Sequence, residues 1–174
     1  MNMRLFRGLA LLLWLVVAGC YHLRLAATPL EEARFSVKLP EERVMAAVKF
    51  LLQQDGYTIE SADEREGIIL TEYRNFSTKA GGVTLPEGGR LYYHKLKVTI
   101  GSSGAETVVA LASVDLEIRS SYVYEDDGRV QALKKRYPYE QYPGMFDLST
   151  VTWELKRVSG YLQTGLRREA KNGY

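Results

Sequence analysis

Few side chains in this sequence can do covalent or metal chemistry. There is one cysteine, Cys20, and there are two histidines, His22 and His94. His22 falls in a short mixed segment and His94 inside a strand pattern, so neither completes a Ser-His-Asp arrangement. The run Asp126-Asp127-Gly128 opens like a calcium loop, but no further ligands follow at the fixed steps such a loop requires. It reads as a turn. Gly81-Gly82 and Gly88-Gly89 lack the spaced Gly-Lys-Ser/Thr order that cradles phosphate, and read as a flexible loop. Asp63, Glu64 and Glu66 cluster in a polar turn, where charge is solvated rather than paired for acid–base work. The residue types predict no catalytic residues, no metal and no cofactor.

Cys20 has a different use. Arg4 and Arg7 precede an apolar run from Leu9 to Ala18, and small residues lead up to the cysteine in Val17-Ala18-Gly19-Cys20. A basic start, a short apolar stretch and small residues before a cut describe a secretory signal peptide. The run is shorter than the ~20 apolar residues that a membrane-spanning helix needs. Val17-Ala18-Gly19-Cys20 resembles the lipobox of bacterial lipoproteins. That resemblance implies recognition of Val17, Ala18 and Gly19 by the signal peptidase, cleavage before Cys20, and acylation of Cys20. Two acyl chains already anchor a protein stably. Position two of the mature chain is Tyr21, not the Asp that resembles an inner-membrane retention signal, so the expected location is the outer membrane, facing the periplasm.

The composition limits the partners. The chain has 23 Lys and Arg against 21 Asp and Glu, and loss of Arg4 and Arg7 with the leader brings the two signs level. Nucleic-acid binding draws its general affinity from a positive footprint, so no nucleic-acid partner is expected. One segment mixes cations and aromatics: Lys134-Lys135-Arg136, then Tyr137, Tyr139 and Tyr142. Such mixtures are enriched where proteins bind partners. The same tyrosines could equally lie against the sheet and its second helix.

The elements that must position these residues follow from periodicity. Phe35 to Leu39 alternates as a strand does. Pro40, Glu41 and Glu42 suit a first helical turn. Val44, Val48, Leu51 and Leu52 then form an apolar stripe, with Val48 and Leu51 expected to face the sheet, until Asp55-Gly56 ends the helix. Strands follow at Tyr57–Glu60 and Ile68–Phe76. After the Gly-rich segment from Ser77 to Gly89 come two long strands, Leu91–Ile100 and Thr107–Ile118, joined by Gly101-Ser102-Ser103-Gly104. Tyr137 to Gly144 reads as a proline-broken loop. A second helix starts near Asp147 or Ser149, either of which can cap it. Its stripe is Val151, Leu155, Val158 and Leu162, fading by Gly165. The predicted class is α+β, an antiparallel sheet covered by two amphipathic helices in the order β-α-β-β-β-β-α. The predicted divisions are a signal peptide over 1–19, a lipidated tether over 20–34, one domain over 35–166 and a frayed tail over 167–174.

The stretch Pro40-Glu41-Glu42-Arg43-Val44, Leu51-Leu52-Gln53-Gln54-Asp55-Gly56-Tyr57-Thr58-Ile59, Ala62-Asp63 and Gly67-Ile68-Ile69-Leu70-Thr71 resembles the repeated unit of the BamC family, accessory lipoproteins of the outer-membrane β-barrel assembly machinery. The resemblance implies a helix-grip domain and a non-catalytic scaffold or adaptor with an envelope-complex protein as partner. Family members carry two such domains and a long N-terminal arm; this chain has room for one domain and a short tether. Cys20-Tyr21-His22-Leu23-Arg24 is also similar to the mature start of the LptE family, which implies a lipopolysaccharide-export role as the alternative. A third reading is a module binding lipid, peptide or glycan.

Overall fold

The computed structural model describes residues 27–79, 89–120, 123–124, 130–131 and 136–172. The residues expected to form a lipobox, Val17 to Cys20, together with Lys134, Lys135 and most of the Gly-rich segment, lie outside the described residues. Strand β1 (Ala33–Val37) leads into helix α1 (Glu41–Gln54). Short strands β2 (Ile59–Asp63), β3 (Ile68–Thr71) and β4 (Arg74–Lys79) follow. The long strands β5 (Arg90–Ser103) and β6 (Glu106–Ser120) form one hairpin. Strands β7 (Val123–Tyr124) and β8 (Val130–Gln131) pair with each other, β9 (Arg136–Pro138) returns to the main sheet, and helix α2 (Leu148–Asn172) closes the fold. The protein is α+β, with a seven-stranded antiparallel sheet.

The β5–β6 hairpin is the spine. Near its turn it is flanked by β1 on one side and by β3 then β2 on the other. At its far end it is flanked by β9 and β4. The stretch predicted as one strand from Ile68 to Phe76 is therefore two, because the chain leaves the β5 ladder after Leu70 and rejoins it at Arg74. Thr71 bridges the gap. Its buried Oγ1 accepts the Leu96 N–H at 2.9 Å, supplying the acceptor that the interrupted ladder does not.

The helices lie antiparallel over one face of the sheet, as shown by Arg43 beside Glu169, Leu51 against Gly165 and Gln54 accepting from the Tyr161 hydroxyl. Pro40 is the residue before α1, one position earlier than expected, and Gly56 takes a φ of +84° in the turn after it. The side chains of α1 buried against the sheet are Val44, Met45, Val48 and Leu52. Leu51 is half-buried and meets α2 rather than the sheet, a correction of the predicted stripe. Asp147 caps α2: its Oδ1 accepts from the Ser149 N–H at 3.1 Å. The helix continues to Asn172, with Leu166 buried and Ala170 packed on the core, so residues 167–172, expected as a frayed tail, are helical. Sequence periodicity missed this because charged Arg167, Arg168 and Glu169 hide the single apolar contact of the last turns.

The predicted tether over 20–34 is also shorter than expected. Ala33 and Arg34 already pair with β6, and Ala27 and Leu30 pack against the cluster of Leu116, Tyr139 and Val151. Among the described residues no helix is long and apolar enough to cross a membrane.

Candidate functional site

The cation–aromatic segment is divided by the fold. Arg136, Tyr137 and Pro138 are β9, so the prolines do not keep the segment out of the sheet. An edge strand tolerates proline because one side of its ladder is free. Tyr137 is buried with Tyr92 and Ile118, and Tyr139 with Leu116 and Val151. The Tyr139 hydroxyl donates to the Thr28 carbonyl at 2.9 Å, fastening the incoming chain. These two tyrosines are core, which corrects the expectation of a partner surface made from them. Tyr142 is exposed and meets Tyr137 edge-on at 5.4 Å. Of the expected surface residues within the described structure, Arg136 and Tyr142 remain outside.

Arg136 joins residues that the sequence reading did not single out. Its Nε donates to Glu117 Oε2 at 2.7 Å and its Nη2 to Oε1 at 2.9 Å. Arg119 donates to Glu117 Oε1 from the same strand. Tyr73 lies among three cations, with Lys95, Arg119 and Arg136 at 5.3, 5.3 and 5.6 Å from its ring centre. Arg119 also covers the Tyr93 ring at 3.9 Å. Burial first, then the Asp115 and Glu117 carboxylates, raise the Tyr73 hydroxyl above its ordinary pKa. Beside this group is a shallow depression of about 390 Å³ between Asp115, Glu117, Arg136 and Glu140.

A bulge in β6 creates the cluster. Tyr93 faces Glu117 and Lys95 faces Val114, so two residues of β6, Asp115 and Leu116, stand opposite His94. Asp115 has a φ of +49°, uncommon for a residue with a side chain. Before the bulge, Val109, Leu111 and Ser113 point to the helices; after it, Leu116 and Ile118 do. The slip moves Glu117 to the open face. The sequence does carry this signal, as an apolar alternation that changes phase between Leu111 and Leu116.

On the helix side, the bulge faces a buried polar chain. Ser113 Oγ is 2.7 Å from His94 Nδ1, His94 Nε2 is 3.1 Å from the Tyr57 hydroxyl, and that hydroxyl donates to Glu154 Oε1 at 2.9 Å. Tyr57 has one proton and gives it to Glu154, so His94 Nε2–H donates to Tyr57 and Nδ1 accepts from Ser113. Arg157 forks onto Glu154 and also grips Asp55 at 2.7 and 2.9 Å. Arg74 reaches Asp55 at 3.2 Å and lies over the Tyr57 ring at 4.2 Å. Burial pushes the His94 imidazole down to about 4; Glu154 opposes this and the two arginines reinforce it. Burial raises Asp55, but Arg157 and Arg74 outweigh it and hold its carboxyl below the usual range. Burial and the Glu154 carboxylate push Tyr57 up. Ser, His, Tyr and Glu in a row suggest a relay, but all four are buried and both His94 nitrogens are engaged. The chain instead joins both helices to β4, β5 and β6. Every described buried side-chain nitrogen and oxygen has a hydrogen-bond partner.

No protein-family model matches the chain, and no curated protein matches it. Among solved structures, it is similar to a TBP-like protein from Parabacteroides distasonis ATCC 8503, at 10% identity and a TM-score of 0.46, over 78% of this chain and 92% of that one. It is also similar to a DUF4468 family protein from Bacteroides ovatus ATCC 8483, at 13% identity and a TM-score of 0.39, over 77% of this chain and 80% of that one.

Proposed function

We propose that the protein is a non-catalytic, lipid-anchored scaffold on the periplasmic face of the outer membrane, serving an envelope complex of the β-barrel assembly kind. The observation that carries this reading is the juxtaposition of the Val17-Ala18-Gly19-Cys20 signal with a chain that is fastened to the domain from Ala27 onward. Seven residue steps separate Cys20 from Ala27, a reach of at most about 25 Å. An acylated Cys20 therefore holds the domain close to its membrane, with the tether arriving at the end that bears Tyr139 and Leu116. The open face of the sheet, with Arg136, Tyr73 and Arg119 at one end, is the surface left for a protein partner.

Labelled palmitate should enter the wild-type protein and not Cys20→Ser. Equal labelling of both would remove the anchor, and fractionation wholly into the inner membrane would reject the location. Purification of the intact lipoprotein in mild detergent should recover β-barrel assembly subunits; recovery of lipopolysaccharide-export subunits in their place would overturn the assignment of the complex.

A further inference from the structure

The outer surface of α2 has an unusual composition. Ser149, Trp153, Lys156, Gly160, Thr164, Arg167 and Lys171 follow one another at steps of four or three, so they form a single stripe along the helix, and all are exposed. The stripe contains three cations and no carboxylate. Among the described residues Lys156, Arg167 and Lys171 make no ion pair, whereas Arg157 and Glu169 on the flanks do. Trp153 is 63% exposed, and Phe50, on the outward side of α1, is 58% exposed. They are the two most exposed large hydrophobic side chains described, and both lie on the helical layer.

The end of this stripe is also where the N-terminal segment arrives. Ala27 and Leu30 share a cluster with Leu148 and Val151, on the first turn of α2. Cys20 is then within about 25 Å of the turn that starts the stripe.

We infer that the outer stripe of α2 docks on an anionic phospholipid surface, with Trp153 at the headgroup boundary and Lys156, Arg167 and Lys171 on the headgroups. This rests on the anchor at Cys20, which fixes the membrane beside the first turn of the helix. Tryptophan is the side chain most at home at the membrane–water boundary. The apolar face of α2 is already buried in the core, so the attraction comes from the cations and the one tryptophan, and each cation near an anionic surface adds about five-fold to the binding. The small residues Gly160 and Thr164 leave the middle of the stripe unobstructed. Docked this way, the domain lies with its helices against the lipid and presents the open face of the sheet to the periplasm.

Trp14 and Trp153 are the two tryptophans of the chain, so Trp14→Phe leaves Trp153 as a sole reporter whether or not the leader is removed. The full chain in this background, reconstituted in vesicles with brominated acyl chains, should show Trp153 quenching when phosphatidylglycerol is present. Quenching should be weak in phosphatidylcholine alone and should fall at high salt. Lys156→Glu, Arg167→Glu and Lys171→Glu together should weaken docking at least about a hundred-fold, with an unchanged melting curve because all three positions are exposed. The milder triple change to Gln should give a smaller loss in the same direction. A vesicle-bound, acylated protein with no lipid-dependent quenching would overturn the inference and leave the anchor standing. Quenching by anionic vesicles in a chain that carries no acyl group would do the reverse. Shielding of Trp153 that depends on protein concentration and not on lipid would assign the stripe to a second copy and overturn the inference.

Discussion

His94 makes the stability of this domain depend on pH in a window where few other groups titrate. In the unfolded chain its imidazole takes a proton near the ordinary pKa of 6.5; in the fold it is held down to about 4, chiefly by burial. Between those values the unfolded state binds the extra proton, so acidification favours unfolding. The contribution is complete above 6.5, is lost as the pH falls through the window, and loses nothing more below about 4. Each pKa unit is worth about 1.4 kcal/mol, so the whole window amounts to roughly 3 kcal/mol and the step from pH 7 to pH 5 to about 2 kcal/mol. That is a large share of a domain stability of roughly 5–15 kcal/mol. Urea titrations at pH 7, 6 and 5 should show the midpoint falling at constant slope. His94→Gln keeps a donor and an acceptor against Ser113 and Tyr57 but has no proton to take up. It should be weaker at pH 7 and nearly flat from pH 7 to pH 5. Parallel pH curves for wild type and His94→Gln would refute the reasoning, because the acid loss would then belong to other groups.

Three further outcomes follow from the packing. An added Cβ at Gly165 would sit 2.6 and 2.7 Å from the two Leu51 methyl carbons, so Gly165→Ala should lose the roughly 1 kcal/mol that alanine normally gains over glycine inside a helix; the same change should be more favourable in a Leu51→Ala background, and equal effects in the two backgrounds would show that the helices do not meet there. Gly67 has a φ of +65° and an added Cβ would lie 2.1 Å from the Ile100 carbonyl oxygen, so Gly67→Ala should lower thermal stability by more than the ~1–2 kcal/mol of left-handed strain alone, which a melting curve within a degree of wild type would contradict. Tyr139→Phe removes only the bond to the Thr28 carbonyl and should cost about 1 kcal/mol, whereas Tyr139→Ala should cost roughly 3–5 kcal/mol and expose residues 27–32 to protease; recovery of a partner falling in Tyr139→Ala without loss of melting temperature would return this tyrosine to the surface.

Much of the architecture was legible in local sequence because it depends on local periodicity. The α1 stripe, the Gly56 turn, the two long strands and the Asp147 cap each arise from residues within one or two turns or strand repeats of each other, and backbone geometry converts such spacing directly into a face. The resemblance of Val17-Ala18-Gly19-Cys20 to a lipobox is also a matter of linear order, and the proposal of a lipid anchor rests on that string alone. The position of Leu51 was not legible, because a leucine on the edge of a stripe meets either the sheet or the neighbouring helix according to how the two helices pack. Local sequence suits Tyr137 and Tyr139 to a partner or to the core alike; the pairing of β9 with β6 decides for the core. Most dependent on the tertiary structure are the two charged assemblies. Asp55 and Arg157 are 102 residues apart and Tyr57 and Glu154 are 97 apart. Burial removes water from such groups, and only the final fold brings the opposite charge close enough to replace it.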